Sequence, residues 1–389
     1  MTSPPKPLTL QSEPVGSLPR PSHLQEALAA YDENEITLAE LRVIEDEASR
    51  DALEIMERCG QDWVTAGEHA ESSFATYALM ETLGGKGLAK GLKPGGAFFA
   101  IFEDDHHRQL PILRSGPFRY KTYAAELLQR TMRYAKRPLK QAVISPSMLS
   151  LLYPDEGIVG YPRDEFYNDL VDECEKDIRM CFQVGVKRVS IDFTEGRLAL
   201  KNDPRNPWTE QGRLGEFIQL NNRVLERFNS DERTNIGIHT CPGGDCDSFH
   251  SHDVKYKDLL PSLFQLNAGY FLIQASGEPD RESVYKLVGK YLRKNAAGVK
   301  QMAFIGVVDP TNPRIESPEE VRDQLLLAAK YIPKDRLGST DDCGFSPFSI
   351  DPKPKHGGPD QARLIASRKM RARVKGTRMA SEALRLKSK

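Results

Sequence analysis

The sequence predicts an α/β fold, a single (β/α)8 TIM barrel spanning residues 1–389, and three observations carry that expectation. Short β-like runs recur eight times along the whole chain, helical patterns lie between most of them, and no Gly-rich dinucleotide-binding loop follows the first run. Alternation of strand and helix favours a parallel sheet, and eight repeats favour a sheet that closes on itself.

The runs fall at residues 8–15, 62–66, 141–145, 188–192, 235–239, 270–274, 302–307 and 336–339, each rich in Val, Ile or Phe or closed by Gly, Ser and Pro. Helical periodicity marks 38–58, 165–183, 213–228, 281–295 and 317–331. The last begins Ser317-Pro318-Glu319-Glu320, a capping residue, a proline in the first turn and acids against the helix dipole. Residues 1–9, rich in Pro and Ser, read as a flexible N-terminus. The long gap between the second and third runs holds an insertion over 95–120. There Phe98-Phe99-Ala100-Ile101-Phe102 and Leu110-Pro111-Ile112-Leu113 flank a polar turn, which predicts a hairpin over the barrel mouth. His106 and His107, adjacent in that turn, point apart and read as solvated.

Composition narrows the function classes. Hydrophobic residues make up 39% and charged residues 28%, which suits a chain that buries a full core. Net charge is −1, yet from Asp351 onward twelve Lys/Arg face three Asp/Glu. Leu364, Ile365, Met370, Val374 and Met379 recur among those charges at helical spacing, so 360–385 reads as a basic terminal helix with a packed face, not as a nucleic-acid-binding tail. No apolar run is long enough for a membrane span and no signal peptide is visible, so a cytoplasmic protein without a membrane partner is expected. Six cysteines are too sparse for a disulfide framework. Cys59, Cys174 and Cys181 fall on helical patterns and read as core. Nothing in the sequence addresses the oligomeric state.

A barrel of this type builds its site at the C-terminal ends of the strands. The residues there are Val15 and Ser17 after the first run, Glu68 after the second, Ser145 and Ser147 after the third, and Asp192 ending the fourth. The fifth run ends in His239-Thr240-Cys241, the sixth in Gln274-Ala275-Ser276, the seventh in Asp309, and the eighth is followed by Asp341-Asp342-Cys343-Gly344. Two residues apart on an extended segment, His239 and Cys241 point to one side, and Cys343 rises into the same mouth. One imidazole and two thiols are the donors of a catalytic zinc site with an open position. Cys246, His250 and His252 in the following loop are further candidates for metal or substrate contact.

Val15-Gly16-Ser17-Leu18-Pro19-Arg20, Ala66-Gly67-Glu68, the stretch from Glu71 to Tyr77, Ser145-Pro146-Ser147-Met148, Ile238-His239-Thr240-Cys241 and Asp342-Cys343-Gly344-Phe345 occur in an order that resembles cobalamin-independent methionine synthase, in its C-terminal catalytic barrel. The likeness covers residues 10 to 385 and is greatest to the short, single-barrel members. It implies the uroporphyrinogen decarboxylase/methionine synthase-like barrel, a Zn2+ cofactor, homocysteine as thiol partner, a methyl or alkyl donor such as a folate, and a role in methionine biosynthesis. By the same resemblance His239, Cys241 and Cys343 match zinc ligands, Val15, Ser17, Glu68 and Ser145 match substrate-binding positions, and Asp192 matches the residue that takes the amino acid's ammonium.

Three positions depart from that pattern. Gln274 stands where the family has a carboxylate ligand, so either this amide or Glu278 completes the metal site, or three ligands suffice. Asp309 is followed by Pro310 and Thr311, without the histidine that donates a proton in the long enzymes, which leaves Asp309 as the catalytic candidate of that strand. No tryptophan accompanies Ser145 to Met148, where those enzymes stack a folate. These departures keep a second reading open, a zinc-dependent thiol alkyltransferase or lyase acting on an epoxide or other electrophile. A metal-free barrel that binds a small molecule is the reading of another class.

Overall fold

The computed structural model describes residues 9–79, 98–294, 297–346 and 356–386. Most of the expected flexible N-terminus, and residues 95–97 of the expected insertion, therefore lie outside the described residues. Seven strands form one parallel sheet: β1 (Gln11–Ser12), β2 (Lys140–Ile144), β3 (Arg188–Asp192), β4 (Ile236–Thr240), β5 (Tyr270–Ile273), β6 (Met302–Val308) and β7 (Leu337–Asp341). Their order is β1-β7-β6-β5-β4-β3-β2. The two ends of this row are joined by the second run. Val64 bridges Leu139 beside β2, and Leu18 N donates to Gly67 O at 3.1 Å on the β1 side.

This joining segment is a bridge and not the strand expected over 62–66. Thr65 donates its hydroxyl, not its backbone, to Gly16 O at 2.6 Å and also receives Gly67 N. Gly67 and Glu68 then turn the chain out of the extended region with φ of 72° and 59°. The remaining strands are buried along nearly their whole length, as expected where helices cover a parallel sheet. Inside the barrel, Arg188 lies over the rings of Trp63, Tyr270 and Phe304, 4.4, 5.1 and 5.5 Å from their centroids. Glu13 pairs with that guanidinium.

Parallel register aligns the functional ends. Ile144 pairs with Asp192, Asp192 with His239, and His239 with Leu272. Alternation along a strand then sends His239 and Cys241 to one side.

The insertion forms an antiparallel hairpin, Phe98–Ile101 with His107–Gln109. Its second arm lies three residues before the Leu110-to-Leu113 segment expected to flank the turn. His106 is not solvated: its ring stacks on Phe102 at 4.1 Å, and Nε2 lies 3.1 Å from Asp245. The C-terminal helix Pro359–Leu386 buries Ile365, Met370 and Val374 and leaves Leu364 exposed. Part of its basic charge is neutralised internally, by Lys369 with Glu316 at 2.9 Å and Arg373 with Asp341 at 3.0 Å. Among the described residues, no helix is long and apolar enough to cross a membrane.

Candidate active site and metal centre

The C-terminal ends of the strands open on a cavity lined by Val15, Ser17, Glu68, Asp192, His239 and Cys343, with Phe74, Phe99, Phe102, Thr194, Gly243, Gly244, His250 and Gly344 completing the wall. His239, Cys241 and Cys343 are buried, and their donor atoms all lie within 4.8 Å of one another. The two sulfurs are 3.2 Å apart, and Gly243 N donates to Cys241 Sγ at 3.3 Å. Both ring nitrogens of His239 are buried without a hydrogen-bond partner. An imidazole in that condition is costly unless something else takes its lone pair, so the donor set fits a metal ion. A hydrogen bond from Cys241 holds the Cys343 thiol well below its usual range, and burial pushes Cys241 well above.

Asp342 positions the second cysteine. Its carboxylate accepts from Ala275 N, Ser276 N and Gly277 N at 3.0, 2.8 and 2.6 Å, tying the loop after β5 to the residue that precedes Cys343.

The same cavity is lined by the carboxylates of Glu68 and Asp192. Burial pushes Asp192 up to about 6, against the pull of His239 and Lys140. Glu68 is raised well above its usual range, by burial first and then by Glu71 and Asp192. Burial takes Glu71 up to about 8. Acids crowded in this way are relieved by an incoming cation. Arg20, wholly buried, holds the loop that carries them by donating to Glu68 O at 2.7 Å and Glu71 O at 3.0 Å. Ser17 Oγ faces the cavity and accepts from Ser346 N at 3.2 Å.

Gly16 is required by close approach, since a Cβ there would lie 2.3 Å from Glu68 Oε1. Gly16→Ala is expected to push that carboxylate aside and lower turnover roughly 10–100-fold while leaving the melting temperature nearly unchanged; kinetics and thermal denaturation of the variant check this.

Several of the sequence candidates lie outside the cavity wall, Gln274, Glu278, Ser145 and Asp309 among them. Gln274 does not join the thiols: its Oε1 accepts from Arg197 Nη1 at 3.1 Å, and Glu278 pairs with the same guanidinium at 2.9 Å. Arg197 is wholly buried and lies over Tyr256, so both proposed fourth ligands are already engaged. Ser145 caps the helix Pro146–Ser150 by accepting from Met148 N at 3.0 Å and donates to Glu195 Oε1 at 2.6 Å. Asp309 accepts from Thr311 N and Oγ1 at 2.9 and 2.7 Å, closing a local turn.

Burial pushes Glu195 from its ordinary 4.5 up to about 7 despite the hydrogen bonds from Ser145 and Ser147. The folded chain therefore holds this proton more tightly than the unfolded one. The stability it contributes is full below about 4.5 and is lost as pH rises through about 7. Glu195→Gln keeps the Oε1 acceptor and cannot ionise. Its melting temperature is expected to fall less than the parent's between about pH 5 and pH 8, by roughly 2–4 °C, in thermal scans at the two values.

Several wall residues escaped the sequence reading. Phe99 and Phe102 belong to an apolar run whose facing depends on the hairpin being folded over the mouth. Trp208 Nε1 and Asn206 Nδ2 donate to Phe99 O at 3.1 and 3.2 Å, and Glu103 N donates to Phe249 O at 2.9 Å, which holds the hairpin there. Arg197 carried no signal, because a lone arginine in a helical stretch looks like any surface residue. Cys246, partly buried and not in a disulfide, donates to Asp245 Oδ1 at 3.4 Å and lies outside the cavity wall, while Cys59, Cys174 and Cys181 are buried in the core.

Comparison with known proteins gives this arrangement a context. A family model described as the catalytic domain of cobalamin-independent synthase matches residues 221–350, the stretch that contains all three candidate ligands. The chain is 24% identical over 353 residues to the uncharacterized protein YxjH of Bacillus subtilis, covering 86% of this chain and 87% of that one. It is 22% identical over 381 residues to a methionine synthase of Sulfurisphaera tokodaii, covering 96% and 93%. Among solved structures, a B12-independent methionine synthase from Shewanella, in complex with selenomethionine, superimposes with a TM-score of 0.68 over 97% of this chain and 99% of that one at 18% identity, which shows a shared fold.

Proposed function

From the premise that this chain is a relative of the cobalamin-independent methionine synthase catalytic domain, we propose that it is a cytoplasmic single-domain methyltransferase that places a methyl group on the sulfur of homocysteine. In this reading a zinc ion is held by His239, Cys241 and Cys343. The observation that carries it is the buried imidazole of His239, without a hydrogen-bond partner and within 4.8 Å of two thiols, in the cavity that Glu68 and Asp192 also line. One imidazole with two thiolates suits zinc better than a hard, oxygen-seeking cation. When bound, such an ion lowers the pKa of a coordinated thiol, so that it is held as thiolate, the nucleophile that methyl transfer needs.

The chain's own residues do the rest. Glu68 and Asp192 take the ammonium of the amino acid, which ionises them and offsets their burial. Ser17 offers a hydroxyl to the same part of the substrate. The hairpin Phe98–Ile101 with His107–Gln109 covers the mouth and keeps water from the sulfur. The S–CH3 bond then forms as the N–CH3 bond of the donor breaks, and the departing nitrogen takes up a proton to balance the one the thiol released, giving methionine and the demethylated donor.

Metal analysis of the purified chain, together with an assay of homocysteine and methyltetrahydrofolate, tests this reading. About one zinc per chain and formation of methionine are expected. A metal-free protein, or full activity after His239→Ala, overturns it. A second reading is favoured by one observation, the engagement of both Gln274 and Glu278 by Arg197. Without a carboxylate ligand the centre is formally neutral, which suits a thiol attacking an epoxide or another strongly activated carbon. Zinc with no folate-dependent activity, but with thiol addition to an epoxide, selects that reading.

A further inference from the structure

Besides the acids, the cavity wall carries Phe74, Phe99, Phe102 and His250, to which the reading above gives no part in holding the thiol substrate. His250 is 1% exposed. Its ring meets Phe99 at 5.9 Å and 82° and Phe102 at 5.5 Å and 64°. Its Nδ1 lies 2.9 Å from Ser251 Oγ, and that hydroxyl in turn donates to Pro242 O at 3.1 Å. A serine hydroxyl has one proton. Both hydrogen bonds form only if Nδ1 carries the ring proton, which leaves Nε2 with its lone pair bare.

That Nε2 is buried and has no partner. Residue 243 must be glycine for the ring to sit here, since a Cβ there would lie 1.7 Å from Nε2, and both residues line the cavity. Burial draws the ring's pKa down to about 3, so it stays neutral at working pH. A buried acceptor of this kind is retained at a cost unless a ligand supplies the donor.

We propose that His250 is a specificity residue for the second substrate: its Nε2 accepts a hydrogen bond from an N–H or O–H of an electrophile whose apolar or aromatic body rests on Phe74, Phe99 and Phe102. The inference rests on the transferase reading for there being a second substrate, and not on the identity of the alkyl group. The two substrates are thereby sorted by chemistry, the cationic amino acid to the acids and the flat or apolar donor to the rings.

The test uses the zinc-loaded full chain labelled with 15N-histidine, with His250→Phe to assign the signal. The spectrum is expected to show a protonated Nδ1 and a bare Nε2, whose resonance shifts on addition of methyltetrahydrofolate or of glycidol, an epoxide bearing a hydroxyl. Homocysteine alone is expected to leave it in place. In steady-state assays with whichever electrophile reacts, His250→Phe keeps the ring contacts and is expected to raise the electrophile's KM about tenfold with little change in that for homocysteine. His250→Gln, which restores an acceptor, is expected to recover most of the loss. A protonated Nε2, a signal moved by homocysteine alone or by neither electrophile, or equal effects on both KM values would overturn the proposal. Absence of folate-dependent turnover with an Nε2 signal that answers to glycidol would instead remove the methyl-transfer reading and leave this one standing.

Discussion

Cys343→Ser and His239→Ala are each expected to strip the chain of its metal and to lower methyl transfer at least roughly a thousandfold, the equivalent of about 4 kcal/mol of lost transition-state stabilisation. The size follows from geometry. Three donors lie within 4.8 Å, two of them sulfurs at 3.2 Å, and either change leaves only two to hold an ion. A metal that binds only the folded chain also stabilises it, so the parent's melting temperature should rise with added zinc while those of both variants stay level. Elemental analysis and thermal denaturation with and without zinc measure the two effects separately. Cys246→Ser, at a thiol outside the group, should retain the metal.

Asp192→Asn is expected to weaken homocysteine by roughly a hundredfold, or about 3 kcal/mol, the usual size for removing one member of a buried charge pair. Asp192 is buried, lines the cavity and stands in register with His239, so an ammonium fixed there sets the distance between the substrate's sulfur and the thiols. Titration calorimetry with homocysteine should show the loss, with metal content unchanged. The same variant should bind a thiol that lacks the amino group about as well as the parent does. That comparison separates charge recognition from general damage to the cavity.

The sequence showed most of this site because of how a barrel is built. His239 and Cys241 occupy alternate positions on one strand, and Cys343 follows another strand whose C-terminal end meets the same mouth. Their convergence therefore followed from strand assignment alone. Asp192 was legible for the same reason, and the resemblance in motif order extended the reading to Ser17 and Glu68. The second run was misjudged as a full strand. Its extended pattern is genuine, but the Thr65 hydroxyl takes the place of a backbone ladder bond. Ser145 has a part the sequence left open, because a serine after a strand and before a proline serves equally as a ligand-facing hydroxyl or a helix cap, and here it caps.

Barrel class, the placement of the reactive residues at one end and the thiol-rich donor set were all present in local patterns, because strand alternation and parallel register act over a few residues at a time. The fate of Gln274 was not. It is set by Arg197, 77 positions away, whose guanidinium reaches it across the loops and leaves the candidate metal group with three donors. The aromatic wall and the bare Nε2 of His250 depend likewise on the hairpin that precedes β2 meeting a loop that follows β4. Such contacts are fixed by packing and by pairing of buried polar groups, which join residues distant in the chain and leave no periodic trace in it.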